Sequence, residues 1–207
     1  MKRHVGWITG AAAAVLVAVG ALTYAVAEDG GSSVTPSADS ADAGFARDMA
    51  VHHQQAVEMS FIVRDRTDDE DVRLLAYDIA QTQANQRGML LGWLDLWGLP
   101  KVSSDPPMTW MGMGDMPSAG DGSLMPGMAT RAELKKLESL DGRQAEVLYL
   151  QLMTDHHKGG VHMAEGCVDK CTVGVEKQLA QGMVDAQQSE IDLMKEMQAE
   201  RGAKPRS

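Results

Sequence analysis

Apolar and polar residues recur along this chain at helical spacing, and no alternating β pattern of useful length interrupts them. Ile79, Gln83, Gln86, Leu90, Trp93 and Trp97 follow one another at steps of 4, 3, 4, 3 and 4, which draws a single stripe down a helix that Gly98 and Pro100 should stop. Thr67-Asp-Asp-Glu70 ahead of it has the form of a capping box, a hydroxyl and a carboxylate each taking one free backbone N–H. A matching stripe, Met183, Gln187, Glu190, Met194 and Met197, lies near the other end. Upstream of each stripe a second helix is expected. At about 100° per residue, Met49, His52, His53, Ala56 and Met59 share an arc of about 120°, the width of a core-facing face.

Sliding the chain along itself by 104 residues places Met49 on Met153, His52 and His53 on His156 and His157, and Met59 on Met163. The same offset puts Gln83 on Gln187, Gln86 on Glu190, Leu90 on Met194 and Trp93 on Met197, with no insertion. A duplicated unit is therefore expected over residues 45–98 and 149–202. Each unit reads as a helical hairpin, and two hairpins predict an all-α four-helix bundle spanning 45–200. Between them lie a connector, 99–130, and a short helix, 131–141, opened by the capping box Thr130-Arg-Ala-Glu133 and ended by Gly142.

Ahead of the repeats, Lys2, Arg3 and His4 precede an uncharged run from Val5 to Ala27 that closes on Ala25-Val26-Ala27. This is the pattern of an export signal; its length also suits an uncleaved membrane anchor, since a spanning helix needs roughly 20 residues. Either way the remainder is expected outside the cytoplasm, touching a membrane only through this segment. Residues 28–44, rich in Ser, Gly, Ala and Asp, read as a tether. The net charge of -10 excludes nucleic-acid binding through bulk charge. The composition adds one oddity: 15 Met stand against 2 Phe, 4 Trp and 3 Tyr.

The candidate chemistry gathers where those methionines do. A single His on an apolar stripe is ordinarily a satisfied core residue, and Met ordinary filling. Two adjacent His, repeated, are harder to satisfy, because several imidazoles in one core need partners that a metal ion can replace. Met49, His52, His53, Met59, Met153, His156, His157 and Met163 are therefore the expected ligands. Imidazole with thioether and little carboxylate favours copper, Cu(I) in particular, over Mg, Ca or Mn. Only Glu190 puts a carboxylate on an inward stripe, too few for a di-iron bundle. The small residues Ala56 and Gly160 leave space beside the histidines.

Six further methionines, Met108, Met111, Met113, Met116, Met125 and Met128, stand in the connector among Pro, Gly, Ser and Asp. In so polar a segment they read as a flexible accessory copper-capture string rather than core, the alternative being an adaptable contact surface. Cys167 and Cys171 occupy the places of Val63 and Thr67 at the hairpin turn. An exported chain favours a disulfide between them; a thiolate metal site is the other reading.

Phe45…Met49-Ala-Val-His52-His53…Ala56-Val57-Glu58-Met59, the motif Met153-Thr-Asp-His156-His157-Lys-Gly159-Gly160-Val161-His162-Met163, and the Gln83-x-x-Gln86 and Gln187-x-x-Glu190 helices resemble the exported bacterial family of domain of unknown function 305. The resemblance runs from residue 45 to about 198. It implies a ferritin-like fold and, through relatives linked to copper tolerance outside the cytoplasm, copper binding at the two His–Met motifs. The chain departs from the family pattern at Gln86, where Glu is expected, and in carrying the Cys pair.

These readings converge on an extracytoplasmic copper-binding protein that buffers Cu(I) or passes it to a copper-handling protein, with no catalytic residue singled out. Two other classes stay open at this point: a copper-dependent oxidoreductase of the cuprous oxidase kind, and a metal-free surface interaction module. The pattern carries no information on oligomeric state.

Overall fold

The computed structural model describes residues 35–114 and 123–206, and within them the chain is all-helical. The helices are α1 (Ala41–Arg64), α2 (Glu70–Leu96), α3 (Arg131–Glu138), α4 (Gly142–Lys170) and α5 (Gly174–Glu200), with one 3-10 turn at Thr109–Met111. Residues 1–27, read above as signal or anchor, lie outside the described residues. Among the described residues no helix is long and apolar enough to cross a membrane.

Two of the elements recur at a fixed spacing. Helices α2 and α5 are both 27 residues long, and their bounds differ by the offset that aligns the histidine motifs. Helix α1 packs along α2, α4 packs along α5, and the two hairpins meet where α1 lies against α4. Met49 and Met163 share one apolar cluster, while Met59 and Met153 share another. The N-terminal part of α1 thus faces the C-terminal part of α4, so these two helices run in opposite directions.

Several expected boundaries move, each for a local reason. The Thr67 capping box does not form: Asp69 caps α2 by accepting from the Val72 N–H at 3.0 Å, and the Thr67 hydroxyl instead donates to Glu146 at 2.7 Å. The Thr130 box does form, with Glu133 closing it. Gly142 does not end α3, which stops at Glu138; with a φ of 51° it turns the chain into α4. The expected tether reaches too far, because its last residues build the first turn of α1, where Ser40 accepts from the Ala43 N–H. Asp42 there is buried and accepts from the Thr172 and Val173 N–H groups at 2.8 and 2.7 Å. That carboxylate caps α5, whose own N-cap residue, Val173, has no side chain able to do so.

The apolar core is split in two. One cluster holds Met59, Val63, Val72, Ile79, Tyr149, Met153, Met194 and Met197, and the other Phe45, Met49, Leu90, Leu94, Met163, Cys167 and Met183. On every long helix the same thing separates them: His52 and His53 on α1, Gln83 and Gln86 on α2, His156 and His157 on α4, Gln187 and Glu190 on α5. A polar layer, two residues from each helix, therefore crosses the middle of the bundle.

Candidate functional site

All four histidines of this layer are fully buried. Helical spacing explains why they point inward together: each pair sits on the stripe that also carries its flanking methionines, and Met49, Met59, Met153 and Met163 are likewise fully buried. His162, off that stripe, is exposed.

Their ring nitrogens divide into two sets. The Nε2–H of His156 donates to the His52 backbone carbonyl at 2.9 Å, that of His157 to the Glu190 carboxylate at 2.7 Å, and that of His53 to the Gln86 amide oxygen at 2.9 Å. A carbonyl and a carboxylate can only accept, so in those two pairs Nε2 carries a proton, and in a neutral ring so fixed the Nδ1 lone pair is the one left bare. The Nδ1 atoms of His53, His156 and His157 are buried with no hydrogen-bond partner, and neither ring nitrogen of His52 makes a hydrogen bond of normal geometry.

The electrostatics reinforce this assignment. Burial holds the His52 imidazole down to about 3, aided by the neighbouring His53 and His157 and opposed by the Pro126 carbonyl. Burial also brings His53 down to about 3 against the pull of Gln86, and keeps His156 well below the ordinary imidazole range. These rings are neutral at physiological pH and carry lone pairs ready for an electrophile.

The glutamines of the layer carry the same deficit. Gln83 has neither its amide oxygen nor its nitrogen paired, and the Gln187 oxygen is also without a partner. The space expected beside Gly160 is occupied by Gln187, whose amide oxygen stands 2.4 Å from where a Cβ on that glycine would be. An unpaired buried polar group costs about 1–3 kcal/mol. Several together make the layer a net stability loss that apolar side chains would avoid and a bound ligand would offset.

The connector is a correction. It is not a loose thioether string, because Met108 and Met125 are core residues, 2% and 6% exposed, and Met111, Met113 and Met128 pack against the same cluster. Met116 lies outside the described residues. Long-range contacts that no local pattern encodes hold the segment down. Asp48 on α1 accepts from the Met108 N–H at 2.7 Å and from the Trp110 indole at 2.9 Å, and Gly44 leaves room for that indole. Further on, the Gln55 side chain bonds both the carbonyl and the N–H of Ala129, at 3.0 and 2.6 Å. Pro126 and Gly127 press onto α4, where a Cβ on Gly159 would stand 2.0 Å from the Pro126 oxygen. Residues 123–129 thus form a strap over α1 and α4 beside His52.

The Cys167 and Cys171 sulfurs are joined in a disulfide, with Cα atoms 4.8 Å apart, because Cys171 leaves the helix for an extended conformation. Among the described residues, the grouping of three His, Cys, Asp or Glu ligand atoms within 4.8 Å of one another is Cys167, Cys171 and Glu176; no three histidines come that close. No sequence motif marks Glu176. The offset could have found it, because Val72 stands at that place in the first repeat. Gln86, which stands where the family pattern has Glu, orients His53 as Glu190 orients His157.

Comparison with known proteins follows the same lines. No curated protein sequence is significantly similar to the chain. Among solved structures, a Streptomyces coelicolor DUF305 protein, provisionally described as secreted, is 75% identical, with a TM-score of 0.77 over 83% of this chain and 99% of that one. A DUF305 fragment from Deinococcus radiodurans is 30% identical, with a TM-score of 0.62 over 76% and 94%. CopM in its Cu(I)-bound form is 18% identical and shares the fold, with a TM-score of 0.58 over 77% and 96%. The profile of the family described as domain of unknown function (DUF305) matches residues 42–198, and the chain belongs to that family.

Proposed function

We propose that this protein binds copper, Cu(I) in preference, in the polar layer of its bundle, and that it buffers or passes on the ion outside the cytoplasm. The observation that carries the reading is the set of buried, bare Nδ1 lone pairs on His53, His156 and His157, each fixed by an Nε2–H committed elsewhere. That is how ligating imidazoles are held: one nitrogen donates to an oxygen and the other faces the metal. Met49, Met59, Met153 and Met163 border the layer as thioether donors, a soft complement suited to Cu(I), which accepts low coordination numbers. Glu190 acts on the ion through His157. Met108, Met111, Met113, Met125 and Met128 serve as a secondary set on the docked connector.

Two kinds of neighbour support this. CopM, which shares the fold, has been solved with Cu(I), Cu(II) and silver bound. The Streptomyces coelicolor relative, provisionally described as secreted, supports export, which agrees with the signal pattern of residues 1–27. A ferritin-like four-helix description belongs to the same reading and draws on the pairing of α1 with α2 and α4 with α5.

Anaerobic titration of the full chain with Cu(I) against a competing chelator tests the proposal. Tight binding that weakens at least tenfold in His53→Ala and in His157→Ala is expected. Binding no stronger than the chelator, or unchanged in both variants, overturns it.

A further inference from the structure

The end of the bundle that holds the disulfide differs between the repeats in three places at once. Val63, Thr67 and Val72 of the first repeat are Cys167, Cys171 and Glu176 in the second. In the first repeat Val63 and Val72 are fully buried apolar core. In the second, three potential ligand atoms lie within 4.8 Å of one another, all on buried residues. Three substitutions that meet at one point, each from a side chain that is not an ordinary metal ligand to one that is, need a common explanation.

The glutamate is the telling member. Glu176 is fully buried, and apart from the neighbouring Asp42 carboxyl it has no polar partner for either carboxylate oxygen. Burial first, the charge of nearby Asp42 second, and a hydrogen bond to the Asp42 carboxyl third push its carboxyl up to about 9. A carboxyl group placed against a disulfide gains nothing from it, since the bridge offers no donor and no charge. A staple of the turn would be served as well by the valine of the first repeat.

We propose that Cys167, Cys171 and Glu176 form a second metal site, made of two thiolates and one carboxylate, which the disulfide keeps closed and reduction opens to a divalent ion of the Zn(II) class. Two sulfurs and an oxygen with one position left over are a donor set that Zn(II) accepts readily. The site lies in a different part of the bundle from the histidine layer and goes beyond the copper reading.

The chemistry balances with a dithiol as reductant. The dithiol gives two electrons and two protons to the Cys167–Cys171 bond and itself closes to a disulfide, so one S–S bond breaks and another forms. The entering divalent ion then displaces one proton from each thiol and the proton of Glu176 to water. The turn keeps its place when the bridge opens, because Asp42 holds the Thr172 and Val173 N–H groups and the Cys171 N–H bonds the Cys167 carbonyl at 2.8 Å. A bridge of sequence separation 4 also closes a very short loop, the least stabilising case of chain cross-linking.

Co(II) is the probe, because a thiolate-to-cobalt charge-transfer band in the near ultraviolet requires sulfur and is blind to imidazole. The full chain is reduced with a dithiol, freed of it anaerobically, shown to carry two free thiols, and titrated with Co(II). The expected result is the band at one equivalent in the reduced chain, none in the oxidised chain, and none in the C167S/C171S variant under either condition. Glu176→Gln, which keeps the shape of the protonated side chain, should retain the band and bind at least tenfold more weakly. A reduced chain without the band overturns the proposal, as does Glu176→Gln binding like the native chain or loss of the helical circular dichroism spectrum on reduction. None of these outcomes depends on whether the histidine layer binds copper.

Discussion

The imidazoles of His52 and His156 lie face against face, ring centroids 3.7 Å apart and planes at 32°, and these two residues are the same position of the two repeats. A residue that meets its own counterpart marks a local two-fold axis. Here the axis passes between α1 and α4 and puts one pair of core methionines on each side. Burial keeps both rings neutral, and a charge on His52 would further oppose protonation of His156.

Because these two rings share one place, their replacement should not be additive. His52→Ala and His156→Ala should each weaken Cu(I) binding, and the double variant should lose less than the product of the two losses. A coupling of about 0.5–3 kcal/mol is the range for residues in direct contact. Independent losses in a chelator-competition cycle would place the two rings in separate sites.

The metal-free protein should be acid-sensitive in a particular window. Above pH 6.5, the ordinary imidazole value, His52 and His53 are neutral both folded and unfolded and add no pH dependence. Between 6.5 and about 3 the unfolded chain takes up protons that the folded chain refuses, so stability falls as pH falls. Each such His adds a slope of up to about 1.4 kcal/mol per pH unit, and His156 acts in the same direction. Urea unfolding midpoints at pH 7.5, 6 and 5 measure it, and His53→Asn should lower the slope by one proton. A midpoint unchanged from pH 7.5 to 5 would contradict buried neutral rings.

The two halves of the layer differ by one charge. His157 leans on the Glu190 carboxylate and His53 on the neutral Gln86 amide. A carboxylate behind a ligating imidazole raises its basicity, and loss of such a partner typically costs 10–100-fold in metal affinity. Glu190→Gln should therefore weaken Cu(I) binding by roughly 10-fold or more, and Gln86→Glu should strengthen it. Equal affinity in native protein and both variants would remove these partners from the account.

The strap can be tested at its tightest point. A methyl group at residue 159 would stand 2.0 Å from the Pro126 oxygen, a backbone atom that cannot rotate away. Gly159→Ala should cost about 1–3 kcal/mol, the range for forcing atoms into a packed contact. It should also raise proteolytic cleavage within 123–129 while α1 and α4 stay protected. Cleavage at the native rate would mean that the strap is not held there.

What the sequence revealed and what it hid divide along contact distance. The offset that aligns His52 with His156 also aligns α2 with α5 end to end, since a duplication without insertions preserves every local signal. The Thr130 box could be read because its two partners are three residues apart. The Thr67 box failed because its hydroxyl found Glu146, distant in sequence, and Asp69 was the better cap. Composition suggested a free connector; Asp48 and Gln55, which tie it down, belong to α1 and carry no mark of that role in their own neighbourhood. Glu176 is hidden for the same kind of reason: its meaning lies in the disulfide it faces, not in its helix.

The close contact of Gly127 with Gly159 lets sequence sort related chains. A relative with alanine or anything larger at the place of Gly159 has no room for the segment to seat, and its helix crossing would stand open to solvent. One column of an alignment would therefore separate chains that enclose their histidines from chains that expose them, and with that slow exchange of an ion from fast. Copper off-rates measured across such a pair would turn a glycine into a predictor of residence time.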